Sequence, residues 1–177
     1  HETIGEIVDL EDILIDAGLK SAPGSNDVAI APQGLSATIF LSNDAKDRRD
    51  AIADVLRNDS RIGGVYVGDE IAEIGLDPIG GIDIVAVGKD TDEPSDDGVP
   101  GTSVAFQGDI KISNNVGCGQ HGGLGKYEQS PFLLCAGAGF QASSESKDKT
   151  SAIDIAPTAM RHLDLNEGGM DGRALQS

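Results

Sequence analysis

Aromatic and sulfur-containing residues are scarce in this chain of 177 residues. It contains no tryptophan, two tyrosines, four phenylalanines, two methionines and two cysteines. A hydrophobic core must therefore be built from valine, isoleucine, leucine and alanine. Long apolar runs are missing as well, since none approaches the ~20 residues that a membrane helix needs. The sequence predicts a globular domain, or a core with a small insert, and no membrane partner.

Basic residues are also few. Thirteen lysines and arginines stand against thirty aspartates and glutamates, which gives a net charge of −17. Nucleic-acid polymers are bound through lysine and arginine, so this balance argues against them as partners. The acidic residues are scattered rather than gathered in one block, which indicates a solvated acidic surface that repels anions.

The two cysteines allow at most one internal disulfide, and we expect two free thiols. Cys118 precedes a histidine by three residues, but the second ligand pair of a structural zinc site is missing. Cys135 lies in an apolar run, which predicts a small buried residue on a strand. Cysteine usage leaves the compartment undecided and favours the cytoplasm.

The hydrophobic periodicity of the first ninety residues or so predicts short alternating elements. Apolar residues at helical spacing follow Asp9 and end at Gly18, which predicts a helix with Asp9 as its cap. The predicted elements that follow are strands at 36–42, 65–67 and 82–87, a helix from Asp44 that buries Ile52, Val55 and Leu56, and a brief helix from Asp69 to Gly75. This order predicts an α+β layer whose helices cover one face of a sheet.

Residues 89–101 are rich in carboxylates, glycine and proline. The glutamate and helix that complete an EF-hand are missing, so we interpret the segment as a solvated loop rather than a calcium site. Further predicted elements are short strands at 104–106 and 110–112, a core strand at 131–136, and a helix after a capping box formed by Ser151 and Asp154. Asp154 is accordingly interpreted as a helix-start residue and not as a metal ligand.

The segment 117–134 places His121 between glycines, just before an apolar run. Glycine permits positive φ and close approach of a ligand, and an imidazole on such a loop can reach into a cleft and bind a metal. The alternative is a structural glycine loop whose histidine hydrogen-bonds to a carbonyl.

The His121-Gly-Gly-Leu motif resembles the late motif of the alkaline phosphatase superfamily, in its phosphodiesterase/nucleotide pyrophosphatase and phosphonoacetate hydrolase branch. Residues 151–165 resemble the Asp-x-x-Pro-Thr closing helix of that family, 170–175 resemble the tail that follows it, and 27–41 resemble part of its cap. The resemblance implies the C-terminal part of an α/β/α core with an inserted α+β cap. It divides the chain into a core helix segment at 1–20, a cap at 21–96 and a C-terminal core segment at 97–177.

The family's nucleophile, its first-strand aspartate and its Asp-His pair are not recognisable here. The resemblance therefore implies part of an enzyme that is cut downstream of the first metal ligands and inactive by itself. His1 is assigned no role: it could end the Asp-His motif, but no glycine follows it, and a tag remnant or cloning boundary explains it equally well.

By resemblance, the complete enzyme hydrolyses a small phosphate ester or anhydride with two divalent ions, zinc or alternatively manganese, and His121 is a ligand of one of them. The ions would also offset the acidic surface toward an anionic substrate. Two alternatives stay open. The chain could be a non-catalytic binding or cap module, or part of a related phosphonate hydrolase, mutase or sulfatase. The resemblance specifies neither the substrate nor the oligomeric state.

Overall fold

A computed structural model describes residues 1–77, 80–108, 116–137 and 139–176. Contacts between backbone segments divide the chain into two units, His1–Pro131 and Phe132–Ser177. The first unit is mixed α/β and contains two four-stranded sheets. Its elements in chain order are β1 (Glu2–Val8), α1 (Leu10–Asp16), β2 (Val28–Pro32), β3 (Ser36–Leu41), α2 (Arg49–Asn58), β4 (Ile62–Val67), α3 (Glu70–Glu73), β5 (Ile84–Gly88), β6 (Asp90–Pro94), β7 (Pro100–Phe106) and β8 (Gly119–Gln120).

The first sheet, which we name the mixed sheet, has the strand order β6-β7-β1-β8. β1 and β7 are parallel, whereas β6 with β7 and β1 with β8 are antiparallel. The short strand β8 pairs with the beginning of β1, with Glu2 opposite Gln120 and Thr3 opposite Gly119. This pairing brings a segment late in the chain beside its first residues.

The second sheet, the antiparallel sheet, has the order β2-β3-β5-β4. The predicted strands at 36–42, 65–67 and 82–87 are confirmed. The helix predicted from Asp44 begins as a 3₁₀ helix at Asn43–Arg48 and continues as α2, which buries Ile52 and Leu56 as predicted and leaves Val55 partly buried. Ile52 and Leu56 pack in one cluster with Ile39 of β3 and Ile84 of β5. The helix α2 therefore covers the face of the sheet to which these residues point, because alternate residues of a strand share a face.

The prediction that the helices cover a single face is wrong. Ile71 of α3 packs with Val85 and Val87 of β5, the neighbours in sequence of the residues that face α2. Successive side chains of a strand point to opposite faces, so α3 lies on the other side of the sheet. The sequence of β5 is apolar on both faces, and this pattern is the expected signature of a strand covered twice.

The helix α1 begins and ends as predicted. The carboxylate of Asp9 accepts a hydrogen bond from the backbone N–H of Glu11 at 2.9 Å, and Gly18 takes a φ of +69° after the last turn. Leu10 and Leu14 are buried in the same cluster as α2. The core consists of valine, isoleucine, leucine and alanine with Phe106 as its aromatic member, as the composition predicts.

Residues 89–101, predicted to be a loop, contain the edge strand β6. β6 pairs with β7 in a register that places Thr91 opposite Thr102, and their hydroxyl oxygens are 2.8 Å apart. Side chains on an exposed edge strand need not be apolar, and charge there prevents pairing with other chains. An acidic segment can therefore form a strand when the backbone of a neighbouring strand, here β7, is available for hydrogen bonding.

The predicted core strand at 131–136 is also wrong. This segment has no regular secondary structure, and Phe132 and Leu134 are 91% and 84% exposed. Cys135, predicted to be buried, is exposed, and both cysteines are free. An apolar segment is buried only where other elements pack against it, and its composition alone does not show whether they do. The predicted strand at 110–112 lies outside the described residues.

The second unit contains the predicted closing helix, α4 (Ile155–His162), preceded by a 3₁₀ turn at Ala152–Asp154. The carboxylate of Asp154 accepts hydrogen bonds from the backbone N–H groups of Ser151 and Arg173, both at 2.9 Å. The interpretation of Asp154 as a helix-start residue is confirmed. Among the described residues, no helix is long and apolar enough to cross a membrane. The division into 1–20, 21–96 and 97–177 stays a prediction.

Candidate metal site around His121

His121 directly follows β8, and its side chain is exposed. Its backbone is held on both sides. The carbonyl oxygen of His121 accepts a hydrogen bond from the N–H of Leu35 at 3.1 Å, and its own N–H donates to Oε1 of Gln120 at 3.0 Å. Leu35 is 1% exposed, so the residue that fixes the His121 carbonyl is itself fixed in the core. The imidazole is thus free to meet a ligand while its backbone stays in place.

The loop of His121 interlocks with the turn between β2 and β3. Gly34 in that turn has a φ of +83°, and a Cβ atom there would lie 2.5 Å from the His121 carbonyl oxygen. Gly122 has a φ of +95°, and its Cβ would overlap the carbonyl oxygen of Gln33. Both positions require glycine, for conformation and for space. The glycines that suggested a ligand loop in the sequence therefore have a packing function.

Glu128 fastens the same loop from within. Its carboxylate accepts hydrogen bonds from the backbone N–H groups of Gly122 and Gly123, the second at 2.8 Å. The side-chain amide of Gln129 donates to the carbonyl oxygen of Gly123 at 3.0 Å. Hydrogen bonds to an ionised acceptor are about twice as strong as those between neutral groups. The segment from His121 to Gln129 is therefore a closed and internally bonded loop.

A buried carboxylate anchors the loop to the mixed sheet. Glu2 is 1% exposed, accepts a hydrogen bond from the hydroxyl of Ser103, and accepts another from the backbone N–H of Tyr127 at 3.2 Å. The carboxylate lies where a Cβ atom on Gly125 would stand. Buried charge is tolerated only with such partners, so Glu2, Gly125 and the loop backbone depend on one another.

Lys126 connects the outer part of the loop to β6. Its ammonium lies 2.9 Å from a carboxylate oxygen of Asp92 and 4.7 Å from the centre of the Tyr127 ring. The hydrogen bond with Asp92 raises the pKa of Lys126, and the same bond lowers the pKa of Asp92. Both side chains are well exposed, so this pair orients the loop more than it stabilises the fold.

The structure places a second histidine beside His121. The ring centroids of His1 and His121 are 5.7 Å apart, with the ring planes tilted by 46°. Sequence reasoning gave His1 no role, and no local motif could have paired it with His121. The register of β1 and β8 ends with Glu2 opposite Gln120, and His1 and His121 are the residues directly outside the two strands at that end.

The third histidine of the chain belongs to the second unit. It is His162, the last residue of α4, and its side chain is exposed. Within the described ranges, no three histidine, cysteine, aspartate or glutamate side chains converge as a metal-binding group. Imidazole nitrogens are suitable donors for zinc, whereas manganese prefers oxygen ligands, so two histidines would fit part of a zinc site. The remaining ligands would have to come from elsewhere.

A small cavity lies next to the site, lined by residues that include Ile4, Gly34, Ala105 and Gln120. Its volume is about 70 Å³. Pockets that enclose small-molecule ligands measure about 300–1,000 Å³. The cavity is therefore too small to enclose a nucleotide or a phosphodiester.

No protein-family model matches the chain, and no curated protein matches it in sequence.

Proposed function

We propose that the chain is the C-terminal portion of a metal-dependent hydrolase of phosphodiester or nucleotide pyrophosphate bonds, related to the phosphodiesterase/nucleotide pyrophosphatase branch of the alkaline phosphatase superfamily. The observation that carries the proposal is the exposed imidazole of His121 on a loop whose backbone is bonded to Leu35 and Glu128. A ligand residue needs such a backbone, because small displacements of a metal ligand weaken binding. The choice of this family rests on the resemblance of the His121-Gly-Gly-Leu motif and of residues 151–165 to its motifs.

In the complete enzyme His121 would hold one divalent ion through a neutral ring nitrogen. When two such ions are bound, they stabilise the attacking and leaving oxygens of an in-line displacement at phosphorus. The chain's own contribution is to position that imidazole through the interlocked glycines and to keep it accessible. The net charge of −17 repels an anionic substrate, so cations at the site would also be needed to admit it.

This chain alone and a longer protein that contains it are expected to differ in activity. The sequence offers no recognisable hydroxyl nucleophile near His121, so we expect the chain alone not to hydrolyse a chromogenic phosphodiester or a nucleotide pyrophosphate in the presence of zinc or manganese. Turnover that follows the purified chain through chromatography would contradict the proposal. A complete protein that includes preceding residues is expected to be active.

The decisive experiment replaces His121 with alanine in that complete protein. The variant should fold, because the side chain is exposed, but it should bind less metal and lose activity by orders of magnitude. Elemental analysis, thermal melting and turnover are measured together. His162→Ala is the matched control, since His162 is also exposed and lies in the other unit.

Full metal content and turnover in the His121 variant would overturn the proposal and leave a structural loop. Assays of the complete protein with several substrate classes distinguish the related alternatives. Activity on phosphonates or sulfate esters instead of phosphodiesters would assign the protein to a related hydrolase, and metal binding without any turnover would favour a binding module.

A further inference from the structure

An open pocket lies in the first unit where the mixed sheet meets the segments that lead into β4 and β6. Its volume is about 370 Å³, within the range of pockets that hold small molecules. The polar residues that line it include Glu6, Ser60, Arg61, Lys89, Thr91 and Thr102. The pocket is separate from the His121 loop, because Glu6 lies four residues beyond Glu2 on β1, roughly 13 Å along the strand.

Lys89 contributes a free positive charge to this pocket. Within the described part of the first unit, every other lysine or arginine forms an ion pair with a carboxylate. The backbone of Lys89 is held in place, since its N–H donates to the carbonyl of Arg61 and its carbonyl accepts from the N–H of Val104, both at 2.9 Å. The base of the side chain is therefore fixed, and the ammonium has N–H donors available for a ligand.

Arg61 is oriented by Asp59. The carboxylate of Asp59 accepts hydrogen bonds from Nε and Nη2 of Arg61, at 2.9 and 2.6 Å. The remaining nitrogen, Nη1, lies 3.7 Å from a carboxylate oxygen of Glu6, which is longer than a hydrogen bond. A guanidinium is a rigid fork of N–H donors, so Asp59 fixes its plane and leaves Nη1 able to donate to a ligand.

Two hydroxyls complete the donor set. The Oγ1 atoms of Thr91 and Thr102 are 2.8 Å apart, and either can be the donor. Their mutual bond uses one hydroxyl hydrogen, so the other hydrogen can be donated to a ligand. A β-bulge in β1 places Gly5 beside Thr102, where an added Cβ atom would touch the threonine, and the absence of a side chain keeps this part of the pocket open.

We propose that this pocket binds the phosphate group of a small phosphorylated molecule. The donors of Arg61, Lys89 and the threonine pair come from separate segments, and a tetrahedral phosphate presents three terminal oxygens to them, whereas a carboxylate presents two. Glu6 is half-exposed, and its carboxylate competes with the phosphate for Nη1 of Arg61. The inference goes beyond the proposed function, since it uses neither His121 nor a metal ion.

The test follows backbone amide signals of the purified chain by NMR during titration. The probes are inorganic phosphate, glycerol 3-phosphate and acetate at about 0.15 M ionic strength, which screens the acidic surface. Metal ions are removed on a chelating resin beforehand, so that an ion at His121 does not bind the phosphate. Both phosphate compounds should shift the signals of Lys89, Thr91 and Thr102 saturably. Glycerol 3-phosphate should bind more tightly than inorganic phosphate because the pocket has room for more than the phosphate group, and acetate should bind more weakly than either.

The variants change single groups of the pocket. Lys89→Gln and Thr102→Val each remove one donor and should weaken phosphate binding about three- to tenfold. Glu6→Gln removes the competing carboxylate charge and should strengthen binding by a similar factor. The matched controls are Lys147→Gln and Glu145→Gln, which change the net charge equally at exposed positions of the second unit and should keep the affinity of the parent chain. Thermal melting confirms that each variant is folded.

Absence of a saturable shift, or an unchanged affinity in Lys89→Gln, would overturn the inference and leave the metal assignment of His121 intact. Equal strengthening by Glu6→Gln and Glu145→Gln would also overturn it, because the effect would then come from net charge. Acetate binding as tight as that of phosphate would contradict the choice of a phosphate group. Weaker binding of glycerol 3-phosphate than of inorganic phosphate would contradict the assignment to a phosphorylated molecule. A failure of His121 to bind metal would leave this inference standing.

Discussion

The carboxylate of Glu128 accepts a hydrogen bond from the backbone N–H of Gly123 at 2.8 Å. The N–H of Gly122 donates to the same carboxylate. The side chain of Glu128 thus satisfies two backbone N–H groups that have no partner in a helix or sheet, and these bonds close the loop that carries His121. The position of that imidazole depends on Glu128 through the backbone of Gly122 and Gly123.

Replacing Glu128 with glutamine should loosen the loop. The amide oxygen can still accept one hydrogen bond, but the charge and the second acceptor are lost, and we expect a decrease of about 1 kcal/mol in the free energy of unfolding. Urea denaturation measures this change in the free energy of unfolding. Glu93→Gln is the control, because Glu93 is exposed on the edge strand, and it should change stability little. Equal stability of both variants would show that the two loop bonds contribute nothing.

Gly125→Ala should destabilise the fold by about 1–3 kcal/mol, the usual cost of inserting a group into a packed site. Its added methyl group would overlap the buried carboxylate of Glu2, and its backbone does not lie in the region of positive φ. The effect therefore comes from space rather than from conformation. Gly108→Ala is the matched control, since nothing lies within 4 Å of that position. Chemical denaturation measures the free energy of unfolding of both variants. If Gly125→Ala is as stable as Gly108→Ala, the carboxylate of Glu2 does not fill the space next to Gly125.

The antiparallel sheet could be predicted because its pattern is local. Ile52 and Leu56 keep helical spacing, and the β-branched residues of β3 and β5 lie between polar turns, so periodicity alone identifies these elements. β6 was missed for the opposite reason. Its residues are acidic and exposed, and what makes it a strand is the backbone of β7, which sequence periodicity does not report.

The candidate site was predictable only in part. Glycines around a histidine indicate a special loop, and His121 is indeed exposed on one. The partners that fix it, Glu2 and Leu35, are far from it in sequence, and the proximity of His1 depends on the register of β8 with β1. Pairing of a two-residue strand over such a separation leaves no periodic signal. A single sequence therefore suggests the ligand but not its neighbour.

Asp27 should make stability depend on pH in the acid range. The hydroxyls of Ser25 and Ser21 donate to its carboxylate at 2.6 and 2.7 Å. These bonds, with a third from Arg48 at 3.0 Å, hold the pKa of Asp27 far below its usual range. The folded state then binds fewer protons than the unfolded state, whose aspartate has a pKa of about 3.9, so stability rises with pH in this window.

The stabilisation from Asp27 is complete above about pH 5 and is lost as the pH falls toward the depressed pKa of the folded state. Asp27→Asn should therefore lower the urea midpoint at neutral pH, and the difference from the parent chain should narrow below about pH 4. Asp47→Asn, at an exposed position, is the control and should show no such convergence. A difference that stays constant between neutral and acid pH would contradict the assignment.

Limited proteolysis should first cut the segment that begins at Phe132. Phe132 and Leu134 are exposed and have no regular secondary structure, which makes them accessible to a protease that cleaves after aromatic residues and leucine. Phe106 lies in β7 and is 4% exposed, so it should resist cleavage. Mass spectrometry of the early products should show a fragment that ends at residue 132, 133 or 134 and contains the whole of the first unit. Replacing Phe132, Leu133 and Leu134 with serine should slow this first cut and leave later cuts unchanged. Early cleavage after Phe106 would mean that β7 opens before the exposed segment is cut, and it would contradict the assignment of His1–Pro131 as one compact unit.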